Sequence, residues 1–271
     1  VAHSLSPRIH AAFAAATGEN LVYERQEAPL DGFEACAQGM FAEGLAGANV
    51  TVPFKARAHE FADELDDVAA RAGVVNTLRQ DADGRIRGFN TDGAGLVRDL
   101  QAHLGFSVAG ARVVMLGAGG AAAGVIESLL KAGAAELLIA NRTPARAQAL
   151  AERFADAGSL GNPGKVRAAS VGDLPPADLL LNASAASLAG SVPVFDSNCI
   201  VPGTLAYDMM YGANAEPFLA HCCAAGAQRR ADGLGMLVEQ AAAAFEIWRG
   251  MRPATDAVLA DLRRLLASDP A

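Results

Sequence analysis

With 271 residues, 52% of them hydrophobic and 19% charged, the chain has material for one large domain or two modest ones and is not a disordered polymer. A formal net charge of −8 argues against non-specific nucleic-acid binding, while leaving room for a small anion on a local basic patch. No apolar run is long enough to span a membrane, and the first residues lack the apolar segment of a secretion signal.

Ser6 followed by Pro7 reads as a helix start, with Ile9, Ala12, Phe13 and Ala16 on one face and Gly18 as the stop. A strand is predicted over 21–27, a helix over 31–43 and a strand over 47–52. Pro53 opens a predicted helix through 65, followed by a short one over 67–72. Strands over 74–79 and 85–89 are joined by the turn Asp81-Ala82-Asp83-Gly84. A helix over 92–104 leads into the second half of the chain.

There the stretch 113–116 is a short apolar strand, and Gly117, Gly119 and Ala122 fit the G-x-G-x-x-G/A dinucleotide fingerprint. The first glycine permits a tight turn, the second lets a pyrophosphate approach the backbone, and the small residue at 122 lets helix 121–132 pack closely. The free N–H groups and positive dipole end of that helix face the phosphates. A strand over 136–140 completes the β-α-β unit. About 20 residues past the glycines, NAD enzymes place a carboxylate on the ribose 2′-hydroxyl. Here stand Asn141, Arg142 and Thr143, with Arg146 one turn on. Two guanidiniums and a hydroxyl suit a 2′-phosphate, so NADP(H) is expected over NAD(H).

The alternation continues with a helix over 144–155, a surface loop over 158–165, strands over 166–169, 178–181 and 205–209, and a helix over 215–224. Helices over 234–248 and 254–266 close the chain. Strand–helix alternation through both halves predicts an α/β protein with parallel sheets in two domains and a cleft between them.

Several polar residues resist a packing explanation. Lys55 would occupy the first turn of its helix, where a cation opposes the dipole, although a solvated lysine would look the same. Asp92 precedes a helix and is explained as an N-cap. Gln240 shares an apolar helix face with Met236, Ala243, Ala244 and Ile247, and a buried amide there needs partners. Ser4 and Ser6 flank a helix N-terminus, which suits an anion, and Asn76 interrupts an apolar strand. His3, His10, His59, His103 and His221 are scattered, and Phe245 and Trp248 read as core. Cys36, Cys199, Cys222 and Cys223 have no C-x-x-C spacing and read as the reduced thiols of a cytoplasmic protein; no metal site is expected.

In order along the chain run HSLSP (3–7), NVTVPFK (49–55), VNTL (75–78), FNTDG (89–93), GAGGA (117–121), NRTPAR (141–146), YDMMY (207–211) and ADGLGMLVEQAAAAFEIWRG (231–250). This series closely resembles the shikimate dehydrogenase family. The resemblance implies a substrate-binding and catalytic domain over 1–93, a Rossmann-type NADP-binding domain over 94–230, and C-terminal helices over 231–271 that return to the first domain. It implies NADPH-dependent reduction of 3-dehydroshikimate, with shikimate formed on the route to aromatic amino acids. Lys55 and Asp92 would be the catalytic pair. Ser4 and Ser6 would bind the substrate carboxylate, and Thr51, Asn76 and Gln240 its ring hydroxyls together with Tyr207. Gly117, Ala118, Gly119, Gly120 and Ala121 would hold the pyrophosphate, Asn141, Arg142, Thr143 and Arg146 the adenosine ribose and 2′-phosphate, and Met209 and Gly233 would lie near the nicotinamide. The implied protein is a cytoplasmic monomer or homodimer whose partner is its small-molecule substrate, with no nucleic acid or membrane.

Three departures stand out. The strand of about ten residues that the family places before HSLSP (an expectation from the resemblance) is absent from the sequence, which suggests that residues precede Val1. The family's N-A-T-S-x-G loop reads Asn182-Ala183-Ser184-Ala185-Ala186-Ser187, and an arginine common after GAGGA is Ala123. The alternatives are a relative that also oxidises quinate with NAD, and a catalytically silent nucleotide-binding regulator.

Overall fold

A computed structural model describes residues 4–155 and 165–268. His3 and most of the expected loop over 158–165 lie outside these. The first domain contains α1 (Ser6–Thr17), α2 (Phe33–Ala42), β1 (Gly47–Asn49), α3 (Lys55–Phe61), β2 (Glu64–Leu65), α4 (Asp67–Ala72), β3 (Thr77–Gln80) and β4 (Ile86–Phe89). Its sheet runs β1-β3-β4-β2. Only β2 and β4 are parallel; β1–β3 and β3–β4 are antiparallel. In this half the expectation of parallel pairing holds only for β2–β4, while the turn expected at 81–84 joins β3 and β4 as an antiparallel hairpin, with Gly84 N–H on the Asp81 carbonyl.

Two further expectations fail here. Residues 21–27 form no strand, since no strand pairs with them among the described residues and Val22 is left 83% exposed. The helix expected over 53–65 is split. Residues 51–54 turn, with Phe54 N–H on the Thr51 carbonyl, and α3 begins at Lys55. Ala62 then adopts an extended conformation, and Glu64 and Leu65 join the sheet beside Arg87 and Gly88.

α5 (Asp92–Arg98) connects the domains and continues as a π-helical turn over Asp99–His103. The second domain holds β5 (Arg112–Leu116), α6 (Gly120–Lys131), β6 (Glu136–Ala140), α7 (Pro144–Arg153), β7 (Lys165–Ala169), β8 (Leu179–Asn182), β9 (Leu205–Asp208), α8 (Glu216–Ala224) and β10 (Arg229–Asp232). These strands form one parallel sheet in the order β10-β9-β8-β5-β6-β7. Strand order reverses between β5 and β8, which opens a crevice at the carboxyl ends of those strands. β10 escapes the sequence pattern because it is an edge strand whose Arg229 and Arg230 are exposed. The central strands are apolar along their length, as burial on both faces requires.

α9 (Leu234–Arg249) and α10 (Asp256–Ser268) follow. α9 returns to the first domain and packs with α1 and α10 around Ile9, Phe13, Val238, Phe245 and Leu262. Arg71 of α4 forms a two-pronged ion pair with the buried Glu127 of α6 (2.7 and 2.6 Å), and Arg153 of α7 donates to the Ala72 carbonyl (2.7 Å). Both contacts tie the first domain to the second.

Candidate active site

Lys55 is the first residue of α3 and Asp92 the first of α5. The two helix starts face each other, and Lys55 Nζ lies 2.5 Å from Asp92 Oδ2. Their side chains are only 17% and 7% exposed, so the ion pair is largely shielded from water yet open at the lysine end. The other carboxylate oxygen, Oδ1, accepts a hydrogen bond from Asn76 Nδ2 (2.8 Å). Asn90 Oδ1 accepts from the Asp92 N–H (3.1 Å), and Asn90 Nδ2 donates to the Val74 carbonyl.

Asn76 is the hub. Its Nδ2 also reaches Thr91 Oγ1 (2.9 Å) and Gln240 Oε1 (3.3 Å), and its Oδ1 accepts from the Thr91 N–H and the Thr77 hydroxyl (both 2.9 Å). The buried amide thus has its partners. Gln240 comes from α9, on the far side of the chain, and its Nε2 donates to the Leu237 carbonyl.

The network extends further than the sequence indicated. Asn49 Nδ2 donates to Thr77 Oγ1 (3.0 Å), and Asn49 Oδ1 accepts from the Tyr23 hydroxyl (2.9 Å). Burial pushes the Tyr23 phenol up to about 12, with a smaller opposing effect from the neighbouring Ser6 hydroxyl. Ser6 N–H in turn donates to Ser4 Oγ (3.2 Å). Tyr23, Asn49, Thr77 and Thr91 are therefore members of the site that the sequence reading missed. The available signal was the polar side chain of Asn49 within a predicted strand. Thr51 is exposed on the turn before α3.

Tyr207 does not join this cluster. It lies completely buried in β9, an interior strand of the second sheet, and its hydroxyl donates to Asp99 Oδ2 (2.6 Å). The expected contact of Tyr207 with a substrate hydroxyl is corrected accordingly: a side chain committed to a buried carboxylate has no free group to offer. Burial raises both the Tyr207 phenol and the Asp99 carboxyl above their ordinary values.

Across the cleft, Gly117 turns with φ +110° between β5 and α6. A Cβ there would lie 2.9 Å from the Ala183 carbonyl group and from Ser184 Cα, so both the angle and the close approach require glycine. α6 has no side-chain N-cap, and its first turn, opening at Gly120 and Ala121 after Ala118 and Gly119, keeps unpaired N–H groups for an anion. Beyond β6, Asn141, Arg142, Ala145, Gln148 and Ser170 line an open cavity of about 350 Å³ that contains no carboxylate. Thr143 and Arg146 lie beside it at the start of α7 and, like Arg142, are exposed. Neither guanidinium forms an ion pair among the described residues. Such a donor set fits a 2′-phosphate. Met209 and Gly233 are brought together, with no room for a Cβ at Gly233 against the Met209 carbonyl.

No group of three or more metal-ligating side chains occurs among the described residues, and no described helix is long and apolar enough to cross a membrane. His10 borders the Lys55–Asp92 network, stacked on Tyr23 with centroids 4.2 Å apart, whereas His103 bonds Glu239 and His221 bonds Ser197.

A dinucleotide fold facing a shielded lysine–aspartate pair defines a two-domain oxidoreductase. Family models for the shikimate dehydrogenase substrate binding domain, the shikimate / quinate 5-dehydrogenase and the shikimate 5'-dehydrogenase C-terminal domain match residues 1–78, 100–163 and 233–263. A curated shikimate dehydrogenase (NADP(+)) from Dechloromonas aromatica is 52% identical over 268 residues, covering 99% of this chain and 96% of the relative. Among solved structures, an Ael1 enzyme from Pseudomonas putida is 40% identical with a TM-score of 0.86, covering 96% of this chain and 94% of its own. A shikimate 5-dehydrogenase from Thermus thermophilus in complex with NADP(H) and shikimate is 33% identical with a TM-score of 0.84, covering 97% and 95%. The chain belongs to the shikimate dehydrogenase family.

Proposed function

We propose that this protein catalyses the reversible NADPH-dependent reduction of 3-dehydroshikimate to shikimate, the step that serves chorismate and aromatic amino acid synthesis. The observation that carries the reading is the Lys55–Asp92 pair at 2.5 Å, held in a buried polar network next to Gly124 of α6 in the second domain. NADPH, when bound, supplies the hydride that reduces the ketone carbon.

The protein's own residues manage the proton and the charge. As the carbonyl oxygen becomes an alkoxide, Lys55 Nζ stabilises it and transfers a proton to it; in the reverse direction the neutral amine takes the proton from the hydroxyl. Asp92 aims the ammonium and balances its charge, and Asn76 fixes Asp92 through Oδ1. Ser4 and Ser6 receive the carboxylate with hydroxyl donors, while Thr51, Asn76 and Gln240 read the ring hydroxyls. Specificity then rests on hydrogen bonds that a wrong isomer would leave unmade. Arg142 and Arg146, with Asn141 and Thr143, take the adenosine end. The reading places the enzyme in the cytoplasm, as a monomer or a homodimer.

A steady-state assay with shikimate, offering NADP⁺ and NAD⁺ in parallel and quinate as a competing substrate, tests it. Turnover of shikimate with a strong preference for NADP⁺ is expected. Turnover favouring quinate and NAD⁺ would replace this reading with the broader-specificity alternative, and folded protein without turnover would favour the silent regulator.

A further inference from the structure

The loop after β8 is tied down by a compact polar cluster that none of the roles above uses. Asn182 ends β8, Asp208 ends β9, and the two are register partners on neighbouring strands. Ser187, fully buried, donates its hydroxyl to Asp208 Oδ2 (2.7 Å) and accepts from Asn182 Nδ2 (2.9 Å). Asn182 Nδ2 also reaches Asp208 Oδ2 (2.8 Å). On its other side, Asn182 Oδ1 accepts from the Ser184 hydroxyl (2.7 Å) and N–H (3.1 Å), and Ser184 Oγ accepts from the Ala186 N–H (3.3 Å). Asp208 Oδ1 takes the Met210 N–H (2.8 Å).

This is an expensive arrangement. Asp208 is completely buried, its hydrogen-bond partners Asn182, Ser187 and the Met210 N–H are all uncharged, and burial raises its carboxyl above the usual range. Three apolar side chains would pack the same space at less desolvation cost. What the cluster does provide is geometry. It draws residues 183–187 into a closed loop whose start, Ala183 and Ser184, presses on the Gly117 turn. Through Asp208 it also fixes the Met209–Met210 backbone, and Gly233 N–H bonds the Met210 carbonyl (2.8 Å). Both strands of contact end at backbone that faces the crevice.

We propose that Ser187 and Asp208 are positioning residues for the dinucleotide: the buried Ser187–Asp208–Asn182 cluster sets the 183–187 loop against Gly117 and thereby the strength of the cofactor grip. The proposal rests on the placement of the cofactor given above. Its consequence is specific to this chain, because Ser187 supplies a hydroxyl where a glycine would supply none.

The test is the dissociation constant of NADPH, read by nicotinamide fluorescence without substrate, in the wild type and in Ser187→Ala, Ser187→Gly and Arg142→Ala. Losing one hydrogen bond to a buried charge should weaken NADPH binding about tenfold in Ser187→Ala, with a parallel rise in KM for NADP⁺ and an unchanged KM for shikimate. Ser187→Gly removes the same hydroxyl and also loosens the backbone, so its loss should be at least as large. A lowered melting temperature with unchanged NADPH binding in both Ser187 variants would overturn the proposal, as would failure of both to fold, since the cluster would then serve stability alone. If Arg142→Ala weakens NADPH while the Ser187 variants do not, the proposal fails and the cofactor placement stands. If none of the three changes binding, the placement itself has failed.

Discussion

The backbone of Gly95 in α5 lies against Gln240 in α9 so closely that a Cβ at position 95 would sit 2.7 Å from both Gln240 Cβ and the Gln240 backbone nitrogen, and 2.8 Å from the Met236 carbonyl. These are not flexible side-chain ends, so the helices themselves must yield. Gly95→Ala should therefore push α9 away from α5 and withdraw Gln240 Oε1 from Asn76 and Thr91. The expected result is a loss of about 1–3 kcal/mol in stability, together with a raised KM for shikimate and an unchanged KM for NADP⁺. Urea denaturation and steady-state kinetics on one preparation check both parts; a stability loss with both KM values unchanged would remove Gln240 from the substrate site.

Lys55 is the group asked to move a proton. Lys55→Ala should lower kcat by about 10²–10⁴-fold, the usual cost of deleting a general acid–base, while NADPH still binds because the lysine lies on the other wall of the cleft. Single-turnover measurement of NADPH oxidation separates this from slow product release. Turnover within about threefold of the wild type would contradict the assigned role, because it falls far below that range.

How legible this was in the sequence differs between the two halves. The second domain follows a strict rule: strands buried on both faces are apolar runs, and a glycine-rich turn joins the first of them to its helix. Val113 is duly the register partner of Leu137 on one side and of Leu179 on the other. In the first domain, strands are short and their partners decide them. Residues 21–27 have a strand's composition but no strand beside them among the described residues, whereas Glu64 and Leu65 have a helix's composition and become a strand because Arg87 and Gly88 offer a ladder. The active site was legible through residues that local structure could not explain, such as Asn76 and Gln240. Tyr207 misled for the opposite reason. Nothing in its local sequence shows that Asp99, 108 residues away, claims its hydroxyl.

That buried bond makes its own prediction. Tyr207→Phe keeps the ring and removes the hydroxyl, leaving Asp99 Oδ2 without its donor in a site only 2% exposed. The protein should lose about 1–3 kcal/mol of stability, with KM for shikimate unchanged. A rise in KM without loss of stability would restore the substrate contact that the structure does not show.

Cofactor choice should hinge on Arg142 and Arg146. Arg142 lines a cavity free of carboxylates and Arg146 follows one turn on in α7, so each should contribute where a 2′-phosphate is present. Arg142→Ala and Arg146→Ala should each raise KM for NADP⁺ about tenfold or more, the loss of a charge-assisted hydrogen bond, and leave KM for NAD⁺ unchanged. The effect should shrink at high salt because both groups are exposed. Equal changes for the two cofactors would show that the arginines hold α7 rather than the phosphate.

His10 should add its own term to the acid sensitivity of the fold. Its ring is completely buried, stacks on Tyr23 with centroids 4.2 Å apart, and neither nitrogen forms a hydrogen bond of good geometry. Burial pushes the imidazole from 6.5 down to about 4, against a smaller opposing effect from Asn49. Between those values the unfolded chain binds a proton that the folded chain refuses, so stability falls as pH drops from about 6.5 to about 4 and is fully present above 6.5. The full effect is on the order of 3 kcal/mol. Replacing the imidazole by a ring that cannot titrate, His10→Phe, keeps the stacking and removes the proton. In thermal melts at intervals from neutral to acid pH, both proteins should show the same carboxylate-driven loss, and the wild type should fall more steeply than His10→Phe between pH of about 6.5 and about 4. Parallel curves would mean that water reaches the ring and that its burial does not control protonation.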